Sequence, residues 1–210
     1  MMRDDEGVKL SSWMPPVLGF AVFLVTLFGF GIVVGDWASR NLEMRALVSA
    51  VEDSESAMEW TDQQIQSIIK EYGANGALTK DQQTKAWDAL SEAAYDGNLA
   101  ISAAGAQVAN VTVLPWHGDI TRAKDAYVAH NQAWQDYMQK AADDPTVLFK
   151  DQPEINSTFD AAEPLMKAAV PVPALYDLRA RVDEIFKPTP STTPGQEVGM
   201  TVGYRTALAS

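Results

Sequence analysis

Val17-Leu-Gly-Phe-Ala-Val-Phe-Leu-Val-Thr-Leu-Phe-Gly-Phe-Gly-Ile-Val-Val34 is the stretch on which the fold turns. Only Gly19, Gly29, Gly31 and Thr26 interrupt its aliphatic and aromatic side chains, and no charged residue occurs from Leu10 to Gly35. A bilayer core takes roughly 20 apolar residues in a helix, so the run predicts a transmembrane helix over residues 14–36. Pro15 and Pro16 suit the first helical turn, where a missing N–H costs nothing. Trp13 and Trp37 bracket the run; at about 1.5 Å per residue they stand about 36 Å apart, near the spacing of the two membrane interfaces.

A cleaved secretory signal would also place an apolar run near the start of a chain. Here the run is long for a signal core, and Asp4, Asp5 and Glu6 sit beside Arg3 and Lys9 in the tail. Gly35-Asp36-Trp37-Ala38-Ser39-Arg40 is a poor small-x-small cleavage site, and an uncleaved anchor is the better reading. Arg3 and Lys9 before the run are balanced by Arg40 and Arg45 after it, so local charge orients it weakly. A short tail of residues 1–13 followed by a long acidic segment is the pattern of a signal anchor. It places the chain in the plasma membrane as a single-pass protein, with the part beyond residue 37 outside the cytoplasm.

The 210 residues carry 16 Lys plus Arg against 28 Asp plus Glu, a formal charge of -12, and no cysteine. Such a surface repels phosphate backbones, which argues against nucleic acid as a partner. Without cysteine there are no disulfides, thiolate nucleophiles, Cys-held zinc or iron-sulfur clusters, or covalently attached haem.

Beyond the run the pattern is helical. No Gly or Pro occurs between Gly35 and Gly73, which lets the membrane helix continue as a stalk, with Met44, Leu47, Val48, Val51 and Met58 as a packing stripe. Thr61-Asp-Gln-Gln64 reads as a capping box opening a new helix that carries Ile65, Ile68, Ile69 and Tyr72. Thr79-Lys-Asp-Gln82 is a second such box. It precedes Trp87, Leu90 and Ala94 and, past a break expected at Gly97-Asn98, Ile101, Ala104, Val108 and Val111. Alanines at 100, 103, 104, 106, 107 and 109 permit close helix pairing. Residues 111–115 read as a loop bounded by Pro115 and Gly118.

A helix from Asp119 to Ala142 carries Tyr127, His130, Trp134, Tyr137 and Met138 on one side, and residues 143–157 read as a surface loop. Helices over Asp160–Ala169 and Ala174–Phe186, separated by Pro171 and Pro173, form a hairpin; the second carries Leu175, Leu178, Val182 and Ile185. The expected fold is all-α: one N-terminal transmembrane helix running into a stalk, then an extracytoplasmic helical bundle within residues 37–186. The Pro/Thr-rich tail, residues 187–210, builds no packed element alone and needs a partner surface to order it.

Chemistry is hard to place. The two histidines, His117 and His130, form no Glu-x-x-His or His-Glu-x-x-His pattern. His130, among Tyr127, Trp134 and Tyr137, reads as a buried, satisfied imidazole; Asp119 after Trp116-His117 reads as a helix cap before it reads as a partner for the imidazole. There is no Gly-x-Ser-x-Gly elbow and no Gly-rich phosphate cradle; Glu52, Asp53 and Glu55 read as a solvated face, and Trp60, Trp87, Trp116 and Trp134 as core. Asn110-Val-Thr112 and Asn156-Ser-Thr158 match glycosylation acceptors on an exported domain. No catalytic, cofactor or metal site follows. Partner contact is expected instead on the small-residue face Gly31, Gly35 and Ser39, on Phe23, Phe30 and Trp37 beside it, and on Val198, Met200 and Tyr204 of the tail.

Taken together, the short tail, single span, acidic Ala-rich helical body and Pro/Thr-rich C-terminus resemble an accessory subunit of the actinobacterial cytochrome bcc-aa3 respiratory supercomplex. The resemblance is one of outline across the whole chain. It implies a cofactor-free subunit that binds and stabilises or positions an integral membrane complex, with redox groups held by the oxidase or bcc subunits. An alternative is an anchored module whose bundle holds a lipid, a cell-wall precursor or a redox protein, which requires a closed apolar pocket between helices. A membrane-bound hydrolase centred on His117 and Asp119 is the least supported reading, for want of a nucleophile or oxyanion donor.

Overall fold

The computed structural model describes residues 14–73 and 78–187; the side chains of residues 14–25, 27 and 28 lie outside the description. The chain divides into two units, residues 1–39 and 40–210. Among the described residues the fold is all-helical, with no strand. The elements are α1 (Met14–Gly73), α2 (Lys80–Ala109), α3 (Gly118–Asp143), a 3-10 turn (Pro145–Phe149), α4 (Pro153–Ala169) and α5 (Leu178–Ile185). Among the described residues no helix is long and apolar enough to cross a membrane. Most of the predicted span over residues 14–36 has its side chains outside the description, as do the tail over 1–13 and the C-terminal tail from residue 188.

In the second unit, α1 runs through the bundle with the expected stripe turned to its neighbours. Met44, Leu47, Val48, Val51, Met58, Ile65 and Ile69 are buried, at the three- and four-residue spacing that keeps one face turned to its neighbours. The upper part, Met44 to Val51, packs with Val108, Ile120, Ala123 and Tyr127 of α2 and α3, with Ala162 and Met166 of α4, and with Leu178 and Val182 of α5. The lower part, Met58 to Ile69, packs with Leu90, Ala94 and Ile101 of α2, with Tyr137, Met138 and Ala141 of α3, and with Leu148. Burying each Leu or Ile side chain contributes about 1.5–3 kcal/mol, so this one face fixes the bundle.

Two sequence expectations fail for one shared reason. Thr61 opens no helix: it lies within α1, fully buried, and its hydroxyl donates to the Ala57 carbonyl at 2.8 Å. Nor does Gly97 break α2, which is continuous through it. A methyl group built on Gly97 would lie 2.2 Å from Thr61 Cγ2. The glycine is there so that α2 can approach α1 over the threonine. Gly105 plays the same part against α3, where a Cβ would stand 3.2 Å from Gln135 Nε2 and 3.3 Å from Asn131 Cβ. The Thr79 box does form: its hydroxyl accepts from Gln82 N, and the Gln82 side chain accepts from Thr79 N at 2.9 Å.

The remaining differences concern boundaries. Residues 143–157 are not a plain surface loop. Asp144 caps the 3-10 turn by accepting from Thr146 N at 3.1 Å, Leu148 of that turn is fully buried, and α4 begins already at Pro153. Pro164 lies inside α4, which keeps its helical course. The last helix is shorter than read, Leu178–Ile185, because Tyr176 and Asp177 take left-handed φ of 59° and 53°. That conformation costs a non-glycine residue about 1 kcal/mol or more and cannot extend a right-handed helix. Arg181 holds α5 to α1, its Nε donating to Glu52 Oε1 at 2.7 Å and its Nη2 to Ser49 Oγ at 3.0 Å.

In an open helical site Gly97→Ala would stabilise by about 1 kcal/mol through propensity. Here it is expected to destabilise by about 1–3 kcal/mol through overpacking against Thr61, and Gly97→Ala with Thr61→Ala is expected to recover most of that loss. Urea unfolding followed by circular dichroism checks both the sign and the rescue.

Candidate functional site

Chemistry-bearing side chains gather at one end of the second unit, around α1 residues 40–45. His117, with no surface open to solvent, places Nδ1 2.7 Å from Glu43 Oε2. The other Glu43 oxygen accepts the Leu114 backbone N–H at 3.3 Å. One carboxylate thus grips both the imidazole and the backbone of the 110–117 loop. Asp119, expected as a cap, instead pairs with Arg40, and His117 at the N-cap position makes no side-chain cap bond. The carboxylate that meets Nδ1 of the His117 imidazole is that of Glu43.

Trp116, the neighbour of His117, is 67% exposed with its ring edge-on to the imidazole, and Trp60 is exposed as well. The expectation that all four tryptophans of the bundle are core therefore holds only for the half-buried Trp87 and Trp134. A second loop, residues 170–177, meets the same turns of α1. Buried Asn41 accepts the Leu175 N–H at 2.7 Å, and the Arg45 guanidinium lies over the Tyr176 ring at 4.5 Å. Sequence reasoning missed this assembly because its parts lie 70 and more residues apart, and no local spacing encodes their meeting.

A polar seam runs through the bundle between α1 and α3. Ser54 donates to Asn131 Oδ1, both buried, and the fully buried Tyr127 hydroxyl donates to Glu55. Glu55 is thus no part of a solvated face. Burial pushes its carboxyl above the ordinary carboxylate range, offset in part by the Tyr127 hydrogen bond and reinforced by nearby Glu59. Asp62 is raised mainly by burial too, and the Tyr127 and Tyr137 hydroxyls are pushed up by the same cause. Asn131 Nδ2, Tyr137 Oη, Asp62 Oδ1 and Gln66 Nε2 are buried with no hydrogen-bond partner among the described residues. Such atoms are where internal water is ordinarily held.

His130 is the buried imidazole the sequence suggests. It lies against the Tyr127 and Phe159 rings, with Nδ1 3.0 Å from Thr158 Oγ1. Burial lowers its pKa to about 4, opposed by a backbone hydrogen bond at Ile155. Among the described residues no group of three or more His, Asp or Glu side chains is placed to hold a metal ion. A groove of about 200 Å³ beside α4 and α5 is lined by Lys167, Val170, Arg179, Val182 and Asp183, a charged rather than a closed apolar lining.

Of the expected partner contacts, the small-residue face of the first unit is open. A Cβ added at Gly31 or Gly35 meets nothing within 4 Å, and Phe30 is 70% exposed. Ser39 turns its hydroxyl to the Asp36 carbonyl at 2.8 Å, and Trp37 is half-buried. The Phe23 side chain and Val198, Met200 and Tyr204 lie outside the described residues. A scan against protein-family models, a search of curated proteins and a search of solved structures found no match to this chain.

The His130 shift has a defined sign. A histidine whose folded pKa of about 4 lies below the unfolded 6.5 contributes stability that is present above pH 6.5 and is lost as pH falls through that window. Glu55 and Asp62, raised on folding, act oppositely, losing stability as pH rises through their folded values. Because both carboxyls are common to wild type and variant, His130→Asn isolates the imidazole. Its unfolding free energy is expected to fall less between pH 6.5 and 4 than that of the wild type, by up to about 3 kcal/mol, as measured by urea titration at each pH.

Proposed function

We propose that the chain is a single-pass, membrane-anchored accessory subunit that binds a larger integral membrane complex and stabilises or positions it, without catalysing a reaction itself. The host that the outline of the chain fits best is a respiratory bcc-aa3 supercomplex in the plasma membrane, with the helical unit outside the cytoplasm. One observation carries the reading. In the first unit, the α1 residues Phe30, Ile32, Val33 and Val34 are all exposed, beside glycines whose Cβ positions are open. A helix segment with apolar side chains on every side, covered by none of the described residues, is stable only where lipid or another helix takes the place of water. Gly31, Gly35 and Ser39 then supply the small-residue face along which a second transmembrane helix can approach closely.

The bundle adds support of a different kind. Its titratable groups serve to hold loops and helices together: Glu43 with His117, Arg40 with Asp119, Glu52 with Arg181.

The test is recovery from native membranes in a mild detergent through a tag after Ser210. Integral oxidase or bcc subunits are expected to co-purify, and Gly31→Leu with Gly35→Leu is expected to lower their yield while leaving the bundle folded. Recovery of the chain alone would overturn the reading.

A further inference from the structure

Among the described residues, the large apolar side chains exposed on the second unit are not scattered. Leu42, Trp116, Val172, Leu175 and Tyr176 all belong to α1 residues 40–45 or to the two loops fastened there, while Trp60, Tyr95 and Leu99 lie elsewhere. Both fastenings are specific. The loop carrying Trp116 is held through Glu43, which bonds Leu114 N and His117. The loop carrying Val172, Leu175 and Tyr176 is held through Asn41, which bonds Leu175 N, and through Arg45 stacked on Tyr176. At about 100° per residue, Asn41 and Arg45 share one side of α1 and Glu43 lies well around from them, so the loops flank the helix. Leu42, more than half exposed, falls on a third side.

The presentation is rigid. Val172, 80% exposed, stands between Pro171 and Pro173, whose rings fix φ on either side of it. Holding a valine out in water by two prolines has no packing purpose within the bundle. The mixture of groups is that of a membrane interface: tryptophan and tyrosine, whose rings are apolar with a polar edge, aliphatic side chains, and the exposed Arg45, while Arg40 is paired with Asp119. The α1 turns bearing both loops follow directly in the chain on the apolar run that ends at Gly35, with Trp37 between.

We infer that the 110–117 and 170–177 loops form a collar that seats the second unit on the lipid surface, with Trp116, Val172 and Tyr176 in the headgroup layer around α1. This deepens the anchor reading and rests on it. The occupant is phospholipid, chosen over a protein partner because the α1 turns that carry the collar follow directly in the chain on the apolar run and because the collar holds aromatic rings beside the Arg45 guanidinium.

The chain has no cysteine, so single substitutions give unique labels. Trp116→Cys, Val172→Cys, Leu24→Cys within the run and Ser67→Cys on the exposed face of α1 are each tagged with a nitroxide. The full chain is then reconstituted in vesicles of phosphatidylethanolamine and phosphatidylglycerol, and collision with oxygen is compared with collision with a water-soluble nickel chelate. The oxygen-to-nickel ratio at residues 116 and 172 is expected to exceed that at Ser67→Cys several-fold and to approach that at Leu24→Cys. If Leu24→Cys reports lipid while 116 and 172 match Ser67→Cys, the collar is overturned with the anchor intact, and a protein must cover these loops. Water-like values at all four positions overturn the anchor reading as well. Circular dichroism of each labelled chain confirms the fold, and agreement between two exposed sites on separate loops guards against one local perturbation.

Discussion

The buried face of α1 from Met44 to Ile69 is the constraint on which the rest depends. Both core clusters are built on it: its upper turns meet α2, α3, α4 and α5, its lower turns α2, α3 and the 3-10 turn. Because every other helix shares that one apolar surface, α1 cannot be interrupted between residues 40 and 69 without leaving two half-covered cores. The absence of Gly and Pro between Gly35 and Gly73 is the chemical form of that requirement. Close approach is then arranged from the neighbours' side. Gly97 and Gly105 withdraw their side chains so that α2 can lie tight against Thr61 on one helix and Asn131 on another.

Polar groups inside this bundle hold elements in place. Glu43 spends one oxygen on a backbone N–H and the other on His117, Asn41 fixes Leu175, and Arg181 spans Glu52 and Ser49. A buried group paired in this way is costly to unpair, which makes each bond a statement of position more than a source of net stability. The seam of Ser54, Glu55, Tyr127 and Asn131 does the same between α1 and α3, setting their register where aliphatic contacts alone would allow sliding.

What the sequence made legible was periodic or local. Met44, Leu47, Val48, Val51 and Met58 at helical spacing, the Thr79–Gln82 box and the burial of His130 among aromatic side chains are each written within a few residues. What it concealed depends on residues far apart. Thr61 looks like a cap until Gly97 is seen against it; Asp119 looks like a cap until Arg40 is beside it; Leu148 looks like loop until the lower core closes over it. The candidate site was illegible for the same reason, since the segments around Trp116 and Tyr176 meet only through α1. Left-handed φ at Tyr176 and Asp177, neither a glycine nor an asparagine, left no compositional mark at the start of α5.

That last feature has a consequence for how the molecule comes apart. α5 has only eight residues, begins after two residues in an unfavourable backbone state, and has no side-chain cap at Asp177. Leu178, Val182, Phe186, Ile185, the Arg181 clamp and the Lys167–Asp183 ion pair hold it to the bundle. Releasing it relaxes the backbone at Tyr176 and Asp177 and removes no part of the lower core, so α5 is expected to open at lower cost than the longer helices. Its amide protons should exchange with deuterium well ahead of those in α2 and α3. One short helix can then open while the lower core stays shut.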